Sequence, residues 1–353
     1  MGEGEDSVEI DGSYGEGGGQ ILRTSLALSV IQRKPLTVHH IRSGRKKPGL
    51  RPQHLAGVVA LGQISKARLW GAEVSSERID FQPGKSEGGD YLFEIGNGKR
   101  SAGSVTLLLQ SLLPPLCVTE KPSRLIVKGG THVPWSPPYH YFSDVLVPTL
   151  SRMGIAVQCH IERWGWYPGG GGEVHVDVKS SSRITPISLV ERGSLKAIRG
   201  ISAVSNLPTH IATRQRDEAR RRIRSALGRE AEIESLTDAP SNGRGSFLFL
   251  LAEFEDCVAG FSSLGERGKR AEDVAKEAVD ALVEHVFSQG SLDPHLADQV
   301  LIFLAMAEGK SALTTTRITE HLLTNLWVIE TFLGKRPTVL GQRGSPGRVD
   351  FFQ

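Results

Sequence analysis

The sequence predicts an α/β protein built from three β-α-β-α-β-β repeats, which we expect to pack with pseudo-threefold symmetry, and a small α/β domain inserted before the third repeat. Three observations carry this prediction. Strand-like and helix-like segments alternate along the chain, the same order of segments occurs three times, and a long extra stretch precedes the third pair of helices. The length of 353 residues agrees with about two domains.

The repeats are predicted from hydrophobic periodicity and from turn residues. In the first repeat we expect helices over 20–31 and 52–63 and strands over 36–41, 67–74 and 78–82. The second has helices over 104–113 and 139–153, with strands over 123–127, 156–162 and 173–178. The third has helices over 299–307 and 319–333, the latter ended by Gly334, with strands over 311–318, 336–342 and 348–352. The first strand of each repeat has no clear signal.

The extra stretch is predicted to be a domain of its own over 187–289, so that 1–186 and 290–353 together form the three-repeat domain. Strands are expected over 195–204, 230–236 and 246–254, and helices over 212–227 and 270–287. The first of these helices is rich in arginine, and two interpretations stay open for it: a solvated helix face or a surface that contacts RNA phosphates. Its arginines are Arg214, Arg216, Arg220, Arg221, Arg222 and Arg224.

Composition and charge exclude several classes of protein. A net charge of +3 permits a polyanionic partner without requiring one. The three cysteines are far apart and form no CxxC pair, so we expect buried thiols in a reducing compartment. The acidic start of the chain does not read as a signal peptide, and the longest apolar run, 300–307, is too short to span a bilayer. We therefore expect a cytoplasmic protein that does not associate with membranes.

A glycine-rich loop over 12–19 precedes the first helix and is suited to anion binding. Glycines let the backbone approach a ligand closely, and the amides at a helix start attract phosphate. Glu16 lies within the loop and can hold a divalent cation against phosphates. Gln20 and Arg23 follow on the first turns of the helix, and neither the P-loop nor the dinucleotide-binding spacing is present.

Two further segments are basic or rigid. Residues 42–51 hold five basic side chains, among them Arg42 and Arg45, whose guanidinium groups suit phosphate oxygens. Residues 128–139 combine a Gly-Gly turn with clustered prolines and aromatic residues, a rigid wall on which a base can stack. Taken alone, each segment is equally well read as a solvated or merely stiff loop.

His321 stands in the first turn of the last predicted helix, four residues before Asn325. The helix dipole there favours neutral imidazole and attracts phosphate. A neutral imidazole is what a histidine nucleophile requires. By itself, a histidine at a helix start is more often a polar surface residue.

Together, these four segments resemble the RNA 3′-terminal phosphate cyclases, over nearly the whole chain. The resemblance implies an enolpyruvyl-transferase-like large domain and an enzyme that converts an RNA 3′-phosphate end into a 2′,3′-cyclic phosphate. It implies ATP as cosubstrate, Mg²⁺ or Mn²⁺ as metal, and histidyl-AMP and RNA-adenylate intermediates. The expected partner is RNA with a 3′-phosphate end, and a homodimer is left open.

The resemblance also implies roles for individual residues. His321 matches the nucleophile, Asp298 an acid that orients it, and Glu16 the metal-binding acid. The phosphate site is matched by Gln20, Arg23, Arg42, Arg45 and Gln53. The adenosine pocket is matched by Pro134, Pro138, Phe142, His295 and Gln299, although position 295 is His where some relatives have an aromatic residue.

Three alternatives remain. A non-catalytic cyclase-like scaffold for ribosome assembly would lack the nucleophile, so the presence of His321 with Arg42 and Arg45 counts against it. An enolpyruvyl transferase would share the repeats, but the Gly-Gly-Thr turn and the His-x-x-x-Asn helix count against it. A simple RNA-binding module would need neither Glu16 nor His321.

Overall fold

Each of the three predicted repeats forms a four-stranded sheet with its own helices. The computed structural model describes residues 7–96, 101–181, 183–334 and 336–352. The first repeat contains β1 (Val8–Asp11), α1 (Gly19–Gln32), β2 (Leu36–His39), α2 (Pro52–Ser65), β3 (Arg68–Trp70) and β4 (Ile79–Gln82).

The second repeat has the same order, with its second helix divided by a π-helical turn. Its elements are β5 (Asp90–Glu94), α3 (Val105–Leu116), β6 (Ser123–Gly129), α4 (Tyr139–Tyr141), the turn Phe142–Leu146, α5 (Val147–Arg152), β7 (Val157–Arg163) and β8 (Gly172–Val178). The third comprises β9 (Ser188–Leu189), α8 (Pro294–Met306), β14 (Ser311–Thr315), α9 (Glu320–Leu333), β15 (Thr338–Leu340) and β16 (Gly347–Phe351).

The three sheets share one strand order. They run β1-β2-β4-β3, β5-β6-β8-β7 and β9-β14-β16-β15. In each sheet the first two strands are parallel and the remaining pairs are antiparallel. A parallel pair needs a crossover, and the first helix of each repeat lies in it. The α/β class and the three-repeat organisation are confirmed.

A fourth sheet, ordered β11-β10-β12-β13, occupies the extra stretch of sequence. Its elements are β10 (Leu195–Ser205), α6 (His210–Leu227), β11 (Glu232–Leu236), β12 (Gly245–Phe254), β13 (Val258–Leu264) and α7 (Ala271–Phe287). The predicted boundary at residue 187 differs from the structure by one strand, because Ser188–Leu189 pairs with β14 of the third sheet. The insertion therefore follows the first strand of the third repeat. The division into two domains stays a prediction.

The helices of different repeats pack on one another at the centre of the molecule. α1 contacts α2, α3 and α9, and α8 contacts α3 and α9. The middle of α1 is buried on every side, from Thr24 to Val30, as expected of a helix in the core of a large domain. The N-terminal end of α1 therefore lies against the start of α9. No helix among the described residues is long and apolar enough to cross a membrane.

The cysteines are unpaired, and two of the three, Cys117 and Cys257, are buried. Burial raises the pKa of the Cys117 thiol to about 12, so this thiol is not a reactive nucleophile. The prediction of buried thiols is confirmed for these two, while Cys159 is only partly buried.

The arginine-rich face of α6 is largely neutralised by acidic neighbours. Most of its guanidinium groups lie within ion-pair distance of a carboxylate on the same helix or beside it. Exposed pairs of this kind contribute little stability, but they remove the excess positive charge that RNA would require. The structure therefore favours the solvated-face interpretation. The pairs are Arg214–Glu272, Arg216–Asp217, Arg221–Glu218, Arg222–Glu218 and Arg224–Glu230.

Candidate active site

A cleft of about 510 Å³ opens between the repeats and the inserted segment. Its volume lies in the range of small-ligand sites. One wall comes from α1, α8 and the start of α9, a second from the loop before α4, and a third from β13 and α7. Its lining includes Gln20, Arg23, Gln110, Trp135, Pro138, Tyr141, Phe261, His295, Asp298, Gln299 and His321.

His321 projects from the first turn of α9 into this cleft. The helix start is fixed by Thr319, whose hydroxyl accepts a hydrogen bond of 2.9 Å from the Leu322 amide. The imidazole is about half exposed, with 48% of the side-chain surface accessible. A histidine held at a capped helix start and open to a cleft can reach a ligand without unfolding anything around it.

Glu16 lies directly against this histidine. Its Oε2 is 3.1 Å from His321 Nδ1, and its Oε1 is paired with the Arg45 guanidinium. Arg45 also donates to the Glu16 carbonyl at 3.0 Å. Gly15 and Gly17 both have a φ of +57°, which explains why the loop needs glycine on either side of Glu16. His321, Glu16 and Arg45 therefore form a continuous chain of contacts.

The charges in this chain shift both pKa values. The Glu16 carboxylate, whose Oε2 lies 3.1 Å from Nδ1, raises the pKa of His321 above its ordinary value through this close contact and its negative charge, in spite of partial burial. Burial disfavours the Glu16 carboxylate, but His321, Arg45 and Arg23 outweigh it and lower the Glu16 pKa. The expectation that the helix dipole keeps the imidazole neutral is wrong in direction. A full charge at 3.1 Å outweighs the partial charge of a helix end.

The Glu16 carboxylate occupies the space that a side chain at position 18 would need, and Gly18→Ala tests whether its position matters. The backbone at Gly18 is extended, so alanine is sterically allowed there, but a Cβ would overlap both Glu16 carboxylate oxygens. We expect the carboxylate to move away from Arg45 and His321, and any reaction that depends on their contact to slow by about 10²-fold, the cost of a displacement near 1 Å. Rapid-quench assays would measure the rate.

The matched control is Gly44→Ala, in the basic segment 42–51, where a Cβ meets nothing within 4 Å. Both variants should melt at the wild-type temperature. A wild-type reaction rate in the Gly18 variant would show that the position of this carboxylate is unimportant.

Arg23 and Gln20 lie side by side in the floor of the cleft, with the Arg23 guanidinium donating to the Gln20 side-chain oxygen. Removal from water lowers the pKa of Arg23 to about 10, so it remains charged at neutral pH. Its Nε is buried without a hydrogen-bond partner among the described residues. Asn325 orients Gln20 by accepting from its amide at 3.0 Å. The floor thus presents a fixed positive charge with unused donor capacity.

Asp298 lies in the cleft, but no hydrogen bond joins it to the His321 imidazole in the part of the chain that the structure describes. It accepts a hydrogen bond of 2.9 Å from the hydroxyl of Thr319, which caps the helix that carries His321. Burial raises its pKa to about 7, and the nearby His321 partly counteracts this rise. Asp298 therefore acts on the helix start, and the carboxylate that contacts the imidazole is Glu16.

Asp298→Asn is expected to stabilise the protein more as pH rises from about 4 to about 7. The folded pKa of Asp298, about 7, exceeds the ordinary 3.8. Across that window the unfolded chain loses the proton while the folded protein keeps it, so wild-type stability falls. Asparagine has no such proton and can still accept from Thr319. Urea unfolding at several pH values measures the difference.

Asp238→Asn removes an exposed surface carboxylate and is the control for the loss of one negative charge. A stability gain for Asp298→Asn that is the same at about pH 4 and about pH 8 would contradict a raised Asp298 pKa.

Arg42 and Gln53 are engaged elsewhere. Arg42 has a left-handed backbone, φ +54°, and its guanidinium donates to the carbonyls of Lys47 at 2.7 Å and Gly49 at 3.1 Å. Gln53 hydrogen-bonds the backbone of Ser104 through both ends of its amide. Neither lines the cleft. In the free protein, Arg42 fixes the loop that carries Arg45, and Gln53 joins α2 to the start of α3.

Three of the five residues matched to the adenosine pocket line the cleft, namely Pro138, His295 and Gln299. Phe142 does not line the cleft and packs in the hydrophobic core instead. Its neighbour Tyr141 takes the cleft position, since one step along a helix turns a side chain by about 100°.

Pro134 is likewise absent from the cleft wall, where its neighbour Trp135 lies with 92% exposure and a φ of +61°. Sequence reasoning missed Tyr141, Gln110 and Phe261 as wall residues. Phe261 belongs to the inserted segment, and no local motif distinguishes it from a core strand residue.

The chemistry of Glu16 fits a hard divalent cation. Its buried Oε2 has no hydrogen bond of suitable angle among the described residues, in spite of the nearby imidazole. Mg²⁺ typically takes one or two carboxylates and completes its shell with water and substrate phosphates. Glu16 can therefore supply one oxygen to a metal that a phosphate ligand brings with it.

A sequence profile of the RNA 3′-terminal phosphate cyclases matches residues 14–339, nearly the whole chain. The chain belongs to this family. The RNA 3′-terminal phosphate cyclase of Methylococcus capsulatus is 44% identical over 330 residues, 92% of this chain and 91% of that protein. That of Thermococcus gammatolerans is 43% identical over 342 residues, 97% of each. That of Methanopyrus kandleri is 42% identical over 348 residues, 97% of this chain and 98% of that protein.

Solved structures similar to this cyclase-family protein include two enolpyruvyl transferases. NikO of Streptomyces tendae gives a TM-score of 0.36 at 10% identity, covering 98% of this chain and 48% of that one. EPSP synthase of Acinetobacter baumannii gives a TM-score of 0.30 at 14% identity, covering 99% of this chain and 65% of that one. Scores this low support no argument, so the three-repeat fold of this family member rests on its own strand order.

Proposed function

We propose that this protein converts an RNA 3′-phosphate end into a 2′,3′-cyclic phosphate at the expense of ATP, through a covalent AMP on His321. The observation that carries the proposal is the cleft in which His321, held by Glu16, faces the buried charge of Arg23. Membership of the cyclase family supports the overall reaction.

In the first step, His321 attacks the α-phosphate of ATP. Because Nδ1 lies against Glu16, Nε2 is the nitrogen that forms the new N–P bond. The bond from the α-phosphorus to the bridging oxygen breaks, and pyrophosphate leaves. The imidazole must be free of its second proton for this attack, and that proton goes to solvent as the nucleotide binds.

The charges of the site act on the transition state of this step. Nucleotidyl transfer depends on charge neutralisation and positioning more than on acid–base catalysis. Arg23 lines the cleft and stays positively charged, and Arg45 forms an ion pair with Glu16. A divalent ion held by Glu16 would add positive charge at the phosphates.

Two further transfers complete the reaction. An oxygen of the RNA 3′-phosphate attacks the phosphorus of the histidyl-AMP, the N–P bond breaks, and the RNA end becomes a phosphoanhydride with AMP. The neighbouring 2′-oxygen then attacks the RNA phosphorus, loses its proton and expels AMP. The product is the 2′,3′-cyclic phosphate, and His321 is restored.

The nucleoside would lie between the prolines of the loop before α4 and the start of α8. Pro138, Tyr141, His295 and Gln299 line that side of the cleft. Rigid prolines and an aromatic ring provide a surface for base stacking. The inserted segment closes the same side through Phe261. A homodimer and a cytoplasmic location stay predictions.

The test uses an RNA oligonucleotide with a labelled 3′-phosphate, incubated with the protein, ATP and Mg²⁺. We expect phosphatase-resistant label and one AMP and one pyrophosphate for each end converted. The matched control carries a 2′-deoxy terminal sugar, which lacks the attacking oxygen and should accumulate the adenylated end. Full phosphatase sensitivity of the RNA substrate, with no ATP consumed, would exclude the cyclase activity and favour a scaffold.

A further inference from the structure

A second group of metal-binding side chains lies outside the cleft, where the parallel strands β1 and β2 end. Asp11 and His39 are the last residues of these strands and are direct register partners. His40 follows. His40 Nδ1 lies 3.1 Å from His39 Nδ1 and 3.3 Å from Asp11 Oδ1, and the three ligand atoms all lie within 4.8 Å of one another. The proposed function uses none of these residues, and none lines the cleft.

An unusual backbone brings the two histidines together. Consecutive side chains on a strand point to opposite faces of the sheet. His40 instead has a φ of +51°, a left-handed conformation that is uncommon outside glycine. The two rings therefore meet edge to face, with centroids 4.7 Å apart and planes at 87°. Such conformations are enriched at functional sites.

The spacing of the donor atoms matches a tetrahedral metal. Zinc–nitrogen and zinc–oxygen bonds of about 2.0–2.1 Å place the ligands of a tetrahedral ion about 3.3 Å apart. Two of the three separations are 3.1 Å and 3.3 Å, and the third is at most 4.8 Å. We propose that Asp11, His39 and His40 bind one divalent transition-metal ion, with Zn²⁺ as the reference case. Two imidazoles favour such an ion over Mg²⁺.

The surroundings suit an open three-ligand site. Ser13 donates to Asp11 Oδ1 through its amide at 2.9 Å and its hydroxyl at 2.7 Å, and such outer contacts hold a ligand carboxylate in place. The side chains of His40 and Asp11 are 63% and 45% exposed. Water or another small ligand can therefore occupy the fourth position.

The proposed metal site lies where two loops of the candidate active site begin. The loop with Glu16 begins after Asp11, and the loop with Arg45 begins after His40. Their starts already touch, since the Gly12 amide donates to the His39 carbonyl at 2.8 Å. An ion bound by residues from both strands would hold these starts together and restrict the motion of both loops.

The test is a calorimetric titration of the metal-free full chain with Zn²⁺, repeated on His40→Asn and Asp11→Asn. Asparagine tolerates the left-handed backbone at position 40, so the variant should fold. We expect one ion per wild-type chain and binding at least about 10-fold weaker in each variant. Co²⁺ should give the visible absorption of a tetrahedral site in the wild type only.

The control is His175→Asn, which alters a second histidine pair, His160 and His175, beside Glu173. This variant should bind Zn²⁺ as the wild type does. Zn²⁺ should also slow tryptic cleavage within 42–47 in the wild type and not in His40→Asn. Wild-type affinity in His40→Asn, loss of binding in His175→Asn, or no binding to the wild type would each overturn the proposal. These outcomes do not depend on the cyclase reaction.

Discussion

His321→Asn is expected to abolish covalent AMP and to reduce RNA cyclisation by about 10⁴-fold or more, the scale on which removal of a covalent nucleophile acts. Asparagine cannot form the N–P bond. The side chain is half exposed and caps nothing, since Thr319 fixes the helix start, so the melting temperature should stay unchanged. Acid-labile, base-stable label from α-labelled ATP measures the adduct.

His295→Asn is the matched control, because His295 is the other histidine that lines the cleft. It should weaken nucleotide binding and yet retain full labelling at saturating ATP. If His321→Asn retained the label and His295→Asn lost it, the nucleophile would be assigned to the wrong histidine.

Glu16→Gln is expected to change both the height and the shape of the pH profile of adenylylation. In the wild type, Glu16 raises the pKa of His321, and an imidazole that holds two protons cannot attack. The rate therefore falls as pH drops through this raised pKa. Glutamine carries no charge, so the His321 pKa falls and the acidic limb moves to lower pH. The plateau should drop by about 10²-fold, because Arg45 loses its ion pair and the carboxylate that we propose as a metal ligand is lost as well.

Glu320→Gln separates this effect from a general loss of negative charge. Glu320 precedes His321 on the same helix and pairs with Arg343 at 2.6 Å. Its removal should leave the acidic limb within error of the wild type. Single-turnover label transfer, measured across the pH range, compares the acidic limbs of the two variants with that of the wild type. An unmoved limb in Glu16→Gln would mean that this carboxylate does not control the histidine proton.

The repeats could be predicted because their helices and longer strands carry strong periodicity. The strands that sequence analysis missed were β1, β5, β9 and β13. β9 has only two residues, and β1 has four, which is too short for alternation to stand out beside turns. These first strands acquire their structure by pairing with the next strand of the same repeat, a long-range effect that a local pattern does not contain.

The candidate site was predictable at the level of motifs and less so at the level of contacts. Glu16, Arg45 and His321 converge although the sequence separates them widely. The partner of the imidazole was not predictable, because Asp298 and Glu16 are both acids near it and only packing decides which one touches Nδ1. The prediction placed Phe142 in the cleft, where the structure has Tyr141. This is an error of one residue along the helix, which turns a side chain by about 100°.

The most direct measurement is the site of AMP attachment. The protein would be incubated with ATP and Mg²⁺ in the absence of RNA, digested with trypsin at alkaline pH to preserve a phosphoramidate, and analysed by tandem mass spectrometry. Cleavage after Arg317 isolates His321 in a peptide with no other histidine. We expect AMP on that peptide, at His321. AMP on any other residue, or ATP turnover on RNA ends without a covalent adduct, would contradict it.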